Sequence, residues 1–278
     1  QARLKRAGVA SPRLDAEVLL AEATKSSRED LFRHPESVLT AAQGDAFETL
    51  LRRREKREPV AYLLGRKEFW NLEIGVNPHV LIPRPETEIL VDQGLQFFRS
   101  RRDPKGPRLL EVGTGSGAVA LVLAQELPEC RVTALEVSPA ALETARDNAR
   151  RHGLADRIRG VRGAFFPGRE EGGFDGIVSN PPYLESAQIE GLMPEVRDFE
   201  PRLALDGGPD GLNFYRRFLP EAWKHLTPGG ALFLEIGETQ AAAVSDLISK
   251  SLPYGPVRIF QDYSGRDRVI HTFRRNHG

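Results

Sequence analysis

The sequence is poor in sulfur, and this limits the kinds of site it can build. Its 278 residues include one cysteine, Cys130, and one methionine. A single cysteine cannot form an internal disulfide, and Cys130 has no cysteine or histidine neighbours at metal-ligand spacing. We therefore expect no disulfide framework and no bound metal. This cysteine usage fits a protein that works in the reducing cytoplasm.

An excess of one charge is also missing. Lysine plus arginine and aspartate plus glutamate both number 39, so the formal net charge is zero. No overall basic field is available to hold a polyanion, and the basic runs at 52–57 and 99–108 are interpreted as solvated surfaces. Stable nucleic-acid binding is therefore not expected.

Long apolar runs are absent as well. No stretch approaches the roughly 18 residues needed to span a bilayer, and the polar start QARLKRAG lacks the apolar core of a signal peptide. We expect no membrane partner. What the chain does contain, 40% hydrophobic and 28% charged residues, is typical of a folded globular protein.

Helical patterns fill the first quarter of the chain. Thr40 followed by Gln43 is a capping-box pattern, and Ser27 precedes a first turn rich in acidic residues. We predict a small N-terminal helical domain over residues 1–68. Strand-like alternation and a further helix then indicate a hairpin and connecting helix over 69–105.

Strands and helices alternate in the third segment, residues 106–278. Such alternation predicts an α/β fold, with a Rossmann-like parallel sheet covered by helices on both faces. The predicted strands are 108–112, 131–136, 174–179, 231–236 and an edge hairpin of 257–262 with 268–273; the predicted helices are 117–126, 139–152 and a segment around 215–225.

A glycine-rich turn follows the first strand of this domain. There the lack of side chains lets backbone atoms approach a ligand closely. Glu136 ends the next strand, 25 residues after Glu111, where an acid can bind both hydroxyls of a ribose. These features predict an adenosine pocket, formed by Glu111, Gly113, Thr114, Gly115, Ser116, Gly117 and Glu136.

The glycine pattern alone leaves the ligand open. Gly113-x-Gly115-x-x-Ala118 also fits a dinucleotide fingerprint, and any tight strand-to-helix turn can require glycine. Glu111 favours S-adenosylmethionine, because its carboxylate can accept hydrogen bonds from the ammonium group of that cofactor. We therefore predict the class I methyltransferase form of the Rossmann-like sheet.

The tetrapeptide Asn180-Pro181-Pro182-Tyr183 follows the strand 174–179, at the sheet edge where ligands bind. An amide nitrogen attacks a methyl group poorly unless its lone pair is turned out of the adjoining π system. The Asn180 side-chain oxygen and the Pro181 carbonyl can accept both N–H hydrogens of an NH2 group, and the Tyr183 ring can pack on the flat acceptor. A plain proline turn capped by asparagine is the simpler alternative.

At these residues the chain resembles the protein-(glutamine-N5) methyltransferase family, the HemK type that modifies peptide chain release factors. The likeness spans nearly the whole sequence and includes the segments 58–65, 68–70 and 81–88. It implies that Phe165 and Asn180 join the glycine loop and Glu136 in binding S-adenosylmethionine. It also implies that residues 180–183 bind the substrate glutamine and that the helical domain helps to dock the release factor.

Two departures from the family pattern concern the cofactor site. Ala164 stands where an acidic residue often contacts the adenine amine, and Glu136 replaces a common aspartate. Three other functions stay open: an adenine-N6 DNA methyltransferase, a ribosomal-protein glutamine methyltransferase, and a non-catalytic adenosylmethionine-binding scaffold. The segment 200–211, rich in glycine and proline, is either a flap over the acceptor or a plain surface loop.

Overall fold

The computed structural model describes residues 1–101, 105–166, 173–251 and 253–276. In these ranges the α-helices are α1 Ala2–Arg6, α2 Pro12–Thr24, α3 Arg28–Arg33, α4 Ala41–Glu55, α5 Val60–Leu64, α6 Thr87–Ser100, α7 Ala118–Glu126, α8 Pro139–Arg151, α9 Pro194–Arg197, α10 Asn213–Ala222 and α11 Ala241–Lys250. The strands are β1 Arg66–Phe69, β2 Leu72–Gly75, β3 Arg108–Val112, β4 Arg131–Glu136, β5 Ile158–Arg162, β6 Phe174–Ser179, β7 Leu226–Glu235, β8 Arg258–Gln261 and β9 Asp267–Phe273.

The first five helices form the N-terminal helical region. Both predicted helix starts are confirmed, since Thr40 with Gln43 and Ser27 with Asp30 each make the reciprocal bonds of a capping box. Helices α1, α2 and α4 contact one another, and Leu4 is fully buried among them. This small core is separate from the core around the sheet.

The hairpin β1–β2 connects the helical region to the sheet domain. Trp70 takes a left-handed backbone conformation at its turn, with φ 59°, and Phe69 pairs with Leu72. Asn148 on α8 holds the end of β2 by bonding both the N–H and the carbonyl of Gly75, each at 2.9 Å. The connecting segment is thereby fixed against the sheet domain.

The seven described strands of the main sheet run in the order β5-β4-β3-β6-β7-β9-β8. The first five strands in this order, β5, β4, β3, β6 and β7, are parallel. Strands β9 and β8 add an antiparallel edge hairpin, as predicted. The sheet is buried on both faces because apolar residues dominate β3, β4, β6 and β7. The predicted mixed α/β fold is confirmed, although the predicted elements omit β5, α9 and α11.

The strand order reverses direction beside β3. The chain goes from β3 outward to β4 and β5, and then returns to β6 on the other side of β3. Crevices at such a reversal, outside the carboxyl ends of the strands, are where open α/β sheets bind ligands. The predicted glycine turn and the tetrapeptide follow β3 and β6, so the topology brings them together.

Candidate active site

A cavity of about 500 Å³ opens at the carboxyl ends of β3, β4 and β6. Its volume lies within the range of small-molecule sites, which is roughly 300–1,000 Å³. The lining includes almost all of the predicted cofactor and substrate residues: Glu111, Gly113, Thr114, Gly115, Ser116, Glu136, Phe165, Asn180, Pro181 and Pro182.

The glycine turn adopts a conformation that only glycine takes without strain. Gly113, Gly115 and Gly117 have φ values of 75°, 54° and 82°. A Cβ atom at Gly117 would lie 3.2 Å from the Cβ of Ala145 on α8, whereas a Cβ at Gly115 would meet no atom within 4 Å. Gly117 thus serves helix packing, while the backbone at Gly115 faces open space in which a ligand can approach.

Glu136 holds the glycine turn and the start of the next helix. Its carboxylate accepts the N–H of Gly115 at 3.0 Å and the N–H of Ser138 at 2.9 Å. The side chain is buried and lines the cavity. A carboxylate at the end of β4 is therefore fixed in orientation beside the place where the adenosine ribose is predicted.

Glu111 is a buried acid with no cationic partner among the described residues. Its carboxylate accepts a hydrogen bond from the hydroxyl of Thr114. Burial raises the pKa of Glu111 to about 8, with nearby Glu136 adding to the rise and the Thr114 hydroxyl opposing it. Such a group lines the cavity and, once it releases its proton, can accept hydrogen bonds from a ligand that carries a positive charge.

Aromatic rings form the wall of the cavity near Ala164. Phe165 lies 5.7 Å from Phe214, between ring centroids, and the guanidinium of Arg217 lies 4.8 Å from the Phe165 ring. All four residues line the cavity. The rings offer a flat apolar surface for a base, and Arg217 rather than an acid is the charged group beside it.

The tetrapeptide divides between the cavity and the protein interior. The side-chain NH2 of Asn180 donates to the hydroxyl of Thr87 at 2.9 Å, and Pro181 and Pro182 line the cavity. Among the described residues that form the lining, Tyr183 is not included; its hydroxyl donates to Glu235 at 3.2 Å. Ring stacking of Tyr183 on the acceptor stays a prediction.

The segment 200–211 contributes residues to the cavity lining and is bonded to its surroundings. Glu200 pairs with Arg84 at 2.5 Å and accepts the N–H of Ile82 at 3.1 Å. Asp206 accepts from Ser186 at 2.6 Å and lines the cavity together with Leu203. The segment therefore forms part of the cavity wall.

A partly buried ion-pair cluster joins the helical region to the chain beyond the tetrapeptide. Glu195 on α9 binds Arg57 through both carboxylate oxygens, at 2.7 and 2.6 Å, and Arg54 at 2.8 Å. Arg54 also binds Asp15. Burial alone would raise the pKa of Glu195, but its bonds to Arg57 and Arg54 hold it at about 2. The cluster therefore stays ionised at neutral pH.

Thr87 and Glu235 are two site residues to which the sequence analysis assigned no role. Thr87 lies inside the segment 81–88 but carried no motif of its own. Glu235 is the last residue of the apolar strand β7. Glu136 likewise ends β4, and Glu111 is the next-to-last residue of β3, so the repeated acid at the end of a buried strand could have indicated a role for Glu235.

The described part of the chain contains no group of three or more side chains that could hold a metal ion. No helix there is long and apolar enough to cross a membrane.

Two family models match the chain. Residues 1–65 match the model described as the PrmC N-terminal domain, and residues 88–195 match the methyltransferase small domain. Among solved structures, a methyltransferase from Pyrococcus furiosus is 27% identical, with a TM-score of 0.54 over 76% of this chain and 92% of that one. A ribosomal protein L11 methylase from Lactobacillus delbrueckii subsp. bulgaricus, 17% identical with a TM-score of 0.52 over 76% and 90%, shows the fold alone.

Curated relatives extend the likeness over the whole chain. A release factor glutamine methyltransferase from Moorella thermoacetica is 45% identical over 98% of this chain and 95% of its own length. One from Geobacter sulfurreducens is 43% identical over 95% and 90%. With identity at this level across both regions, the protein belongs to the release factor glutamine methyltransferase family, as the resemblance of its motifs predicts.

Proposed function

We propose that this protein transfers a methyl group from S-adenosylmethionine to the side-chain amide nitrogen N5 of the glutamine in the Gly-Gly-Gln loop of peptide chain release factors. The observation that carries this proposal is the Asn180 amide, which is held by Thr87 at 2.9 Å in a cavity that also contains the glycine turn. A protein substrate of this kind would be met in the cytoplasm, where translation is terminated.

The residues at the glycine turn fit the cofactor. Gly113 to Gly117 would let the backbone lie against it, Glu136 would bind the ribose hydroxyls, and Phe165 would face the adenine. Glu111 would accept hydrogen bonds from the ammonium group. S-adenosylmethionine, when bound, would supply a methyl group attached to a positively charged sulfur.

The residues at the acceptor end would orient the substrate amide. Because the nitrogen of the Asn180 amide is engaged by Thr87, its oxygen is left to accept one N–H of the substrate. The Pro181 carbonyl would accept the other, and proline brings no backbone N–H to compete. With both hydrogens held, the nitrogen lone pair is turned toward the methyl group.

The same two oxygens would stabilise the reaction as it proceeds. Positive charge would develop on the nitrogen as the new N–C bond forms and the sulfur–methyl bond of the cofactor breaks, with S-adenosylhomocysteine as the leaving product. Acceptors already aimed at the N–H groups would interact more strongly with that charge than with the neutral amide. The nitrogen loses one proton, which passes to water. No covalent intermediate on the protein is needed.

The test supplies the purified protein with S-adenosylmethionine carrying a labelled methyl group. In parallel reactions the acceptor is a bacterial release factor, the same factor with its loop glutamine replaced by alanine, a ribosomal protein fraction, or adenine-containing DNA. We expect label on the loop glutamine only, located by mass spectrometry, and labelling about 100-fold slower with the Asn180→Ala variant. Label confined to the ribosomal fraction or to DNA would overturn the proposed substrate.

A further inference from the structure

Glu235 is a buried carboxylate directly behind the tetrapeptide. It ends β7, next to β6, where Leu234 pairs with Ser179, the residue before Asn180. Its exposed fraction is 1%. One carboxylate oxygen accepts from the Tyr183 hydroxyl at 3.2 Å, whereas the other, Oε2, is buried without a hydrogen-bond partner among the described residues. Buried polar atoms rarely lack a partner, so Oε2 requires a donor.

The groups that face Glu235 come from four neighbouring elements. Burial raises the pKa of Glu235 to about 7, and the Thr87 hydroxyl is the strongest opposing influence, followed by Arg268 and Tyr183; Glu86 adds to the rise. Arg268 is itself engaged by Asp262 and by the carbonyl of Ile236. The Tyr215 hydroxyl donates to the backbone carbonyl of Glu235, not to its carboxylate. Among these groups, the Thr87 hydroxyl is the donor that opposes the rise in pKa most, and it is the natural partner for Oε2.

The Thr87 hydroxyl can donate only one hydrogen bond. The acceptor that takes this proton therefore determines whether Thr87 donates to Asn180 or accepts from it. Thr87 Oγ1 already accepts from the Asn180 NH2 at 2.9 Å. Its own proton therefore needs a separate acceptor. An ionised carboxylate only accepts, so Thr87 can donate to it and never receive from it.

We propose that Glu235 is a positioning residue that sets the direction of a hydrogen-bond chain from Asn180 through Thr87, so that the Asn180 oxygen is turned toward the acceptor cavity. This inference rests on the proposed role of Asn180 as an acceptor for the substrate NH2 group. With a donor at position 235, Thr87 would accept from it and donate to the Asn180 oxygen. The Asn180 NH2 would then face the substrate NH2, and two donors cannot bond each other.

The first test compares isosteric variants in turnover on a release factor. Thr87→Val keeps the shape but removes the hydroxyl, and Glu235→Gln places a donor behind Thr87. We expect each to lower kcat about 100-fold, the order found when one preorganised transition-state partner is lost. Thr87→Ser, the matched control, keeps the hydroxyl and should stay within about threefold of wild type. The dissociation constant for S-adenosylmethionine should be unchanged in all three. Wild-type kcat in Thr87→Val would overturn the inference.

The second test needs no substrate and therefore separates this inference from the proposed function. Nuclear magnetic resonance of the wild-type protein should show the Asn180 side-chain NH2 signal shifting as pH is raised through the pKa of Glu235, about 7. The shift should be absent in Glu235→Gln and in Thr87→Val, and retained in Thr87→Ser. An Asn180 signal that titrates equally in all of these variants would refute the chain of bonds, whatever protein the enzyme methylates.

Discussion

Replacing Glu111 by glutamine should make the protein without cofactor more stable, and by an amount that depends on pH. The carboxyl group has an ordinary pKa of 4.5 that burial raises to about 8 in the folded protein. Between these values the unfolded chain has released the proton while the folded protein still holds it. The free energy of unfolding therefore falls as pH rises from 4.5 to 8, and the penalty is absent below 4.5.

The size of this effect follows from the width of the pH window. Each pH unit between the two pKa values is worth about 1.4 kcal/mol, so between pH 4.5 and pH 7 the penalty grows to about 3 kcal/mol. Glutamine has no proton to release in this range, so the variant does not pay this penalty in its free energy of unfolding. In a chain of this size about 1 kcal/mol corresponds to roughly 2 °C in Tm. The advantage of Glu111→Gln should therefore be about 6 °C greater at pH 7 than at pH 4.5.

Thermal unfolding of both proteins without cofactor, followed by circular dichroism at several pH values, measures this difference. Glu129→Gln, at an exposed site between α7 and β4, is the matched control and should show no pH-dependent gain. A difference between Glu111→Gln and wild type that stays constant with pH, or that the control reproduces, would refute the reasoning.

The same substitution should weaken cofactor binding. An ionised Glu111 is needed to bind an ammonium group, so at pH 7 the wild-type protein should release nearly one proton when it binds S-adenosylmethionine. Calorimetry in two buffers of different ionisation enthalpy measures that proton. Glu111→Gln should release none from this site and bind at least about tenfold more weakly, since a hydrogen bond between charged groups contributes roughly 1.5–3 kcal/mol. Equal proton release in the two proteins would remove Glu111 from the ammonium site.

Three other substitutions test separate parts of the site. Asn180→Ala should lower kcat about 100-fold while calorimetry finds the cofactor dissociation constant within about threefold of wild type, because the acceptor role grows in the transition state; wild-type turnover would contradict the mechanism. Glu136→Ala should raise that dissociation constant at least about tenfold, and unchanged binding would exclude Glu136 from the ribose site. Gly117→Ala should lower the free energy of unfolding by about 1–3 kcal/mol in urea titrations, because of its φ of 82° and its contact with Ala145; an unchanged midpoint would show that the turn relaxes freely.

The parts of the site that could be predicted from the sequence are those encoded by consecutive residues. The glycine turn and the tetrapeptide each lie next to a strand, and a parallel sheet places the carboxyl ends of its strands at one edge. For this reason Glu111, Glu136 and Asn180 could be assigned to one cavity without coordinates. Helix-start signals are equally local: the capping box predicted at Thr40 formed, and Ser27, predicted as a helix start, also caps its helix.

The parts that could not be predicted are contacts between distant segments. Thr87 and Asn180 are 93 positions apart, and Tyr183 and Glu235 are 52 apart. Such pairs depend on the order of the strands and on which helix packs beside which strand end. The hydrophobic periodicity of the sequence predicts neither. The contact of Tyr183 with Glu235 has the same origin, because Glu235 lies on β7, the strand beside β6.

The ion-pair cluster of Arg54, Arg57 and Glu195 has a consequence for how the sequence can change over time. Removing Glu195 would take one acceptor from Arg54 and leave Arg57 without its carboxylate partner. For a fully buried pair such a loss costs about 3–5 kcal/mol, and the partial exposure of this cluster lowers the figure. A substitution at one of these positions is therefore expected to be tolerated only when the partner residue in the other segment changes with it. The cluster ties together two segments 141 positions apart. A chimera that joins the helical region of one relative to the sheet domain of another is therefore expected to need both halves of the cluster.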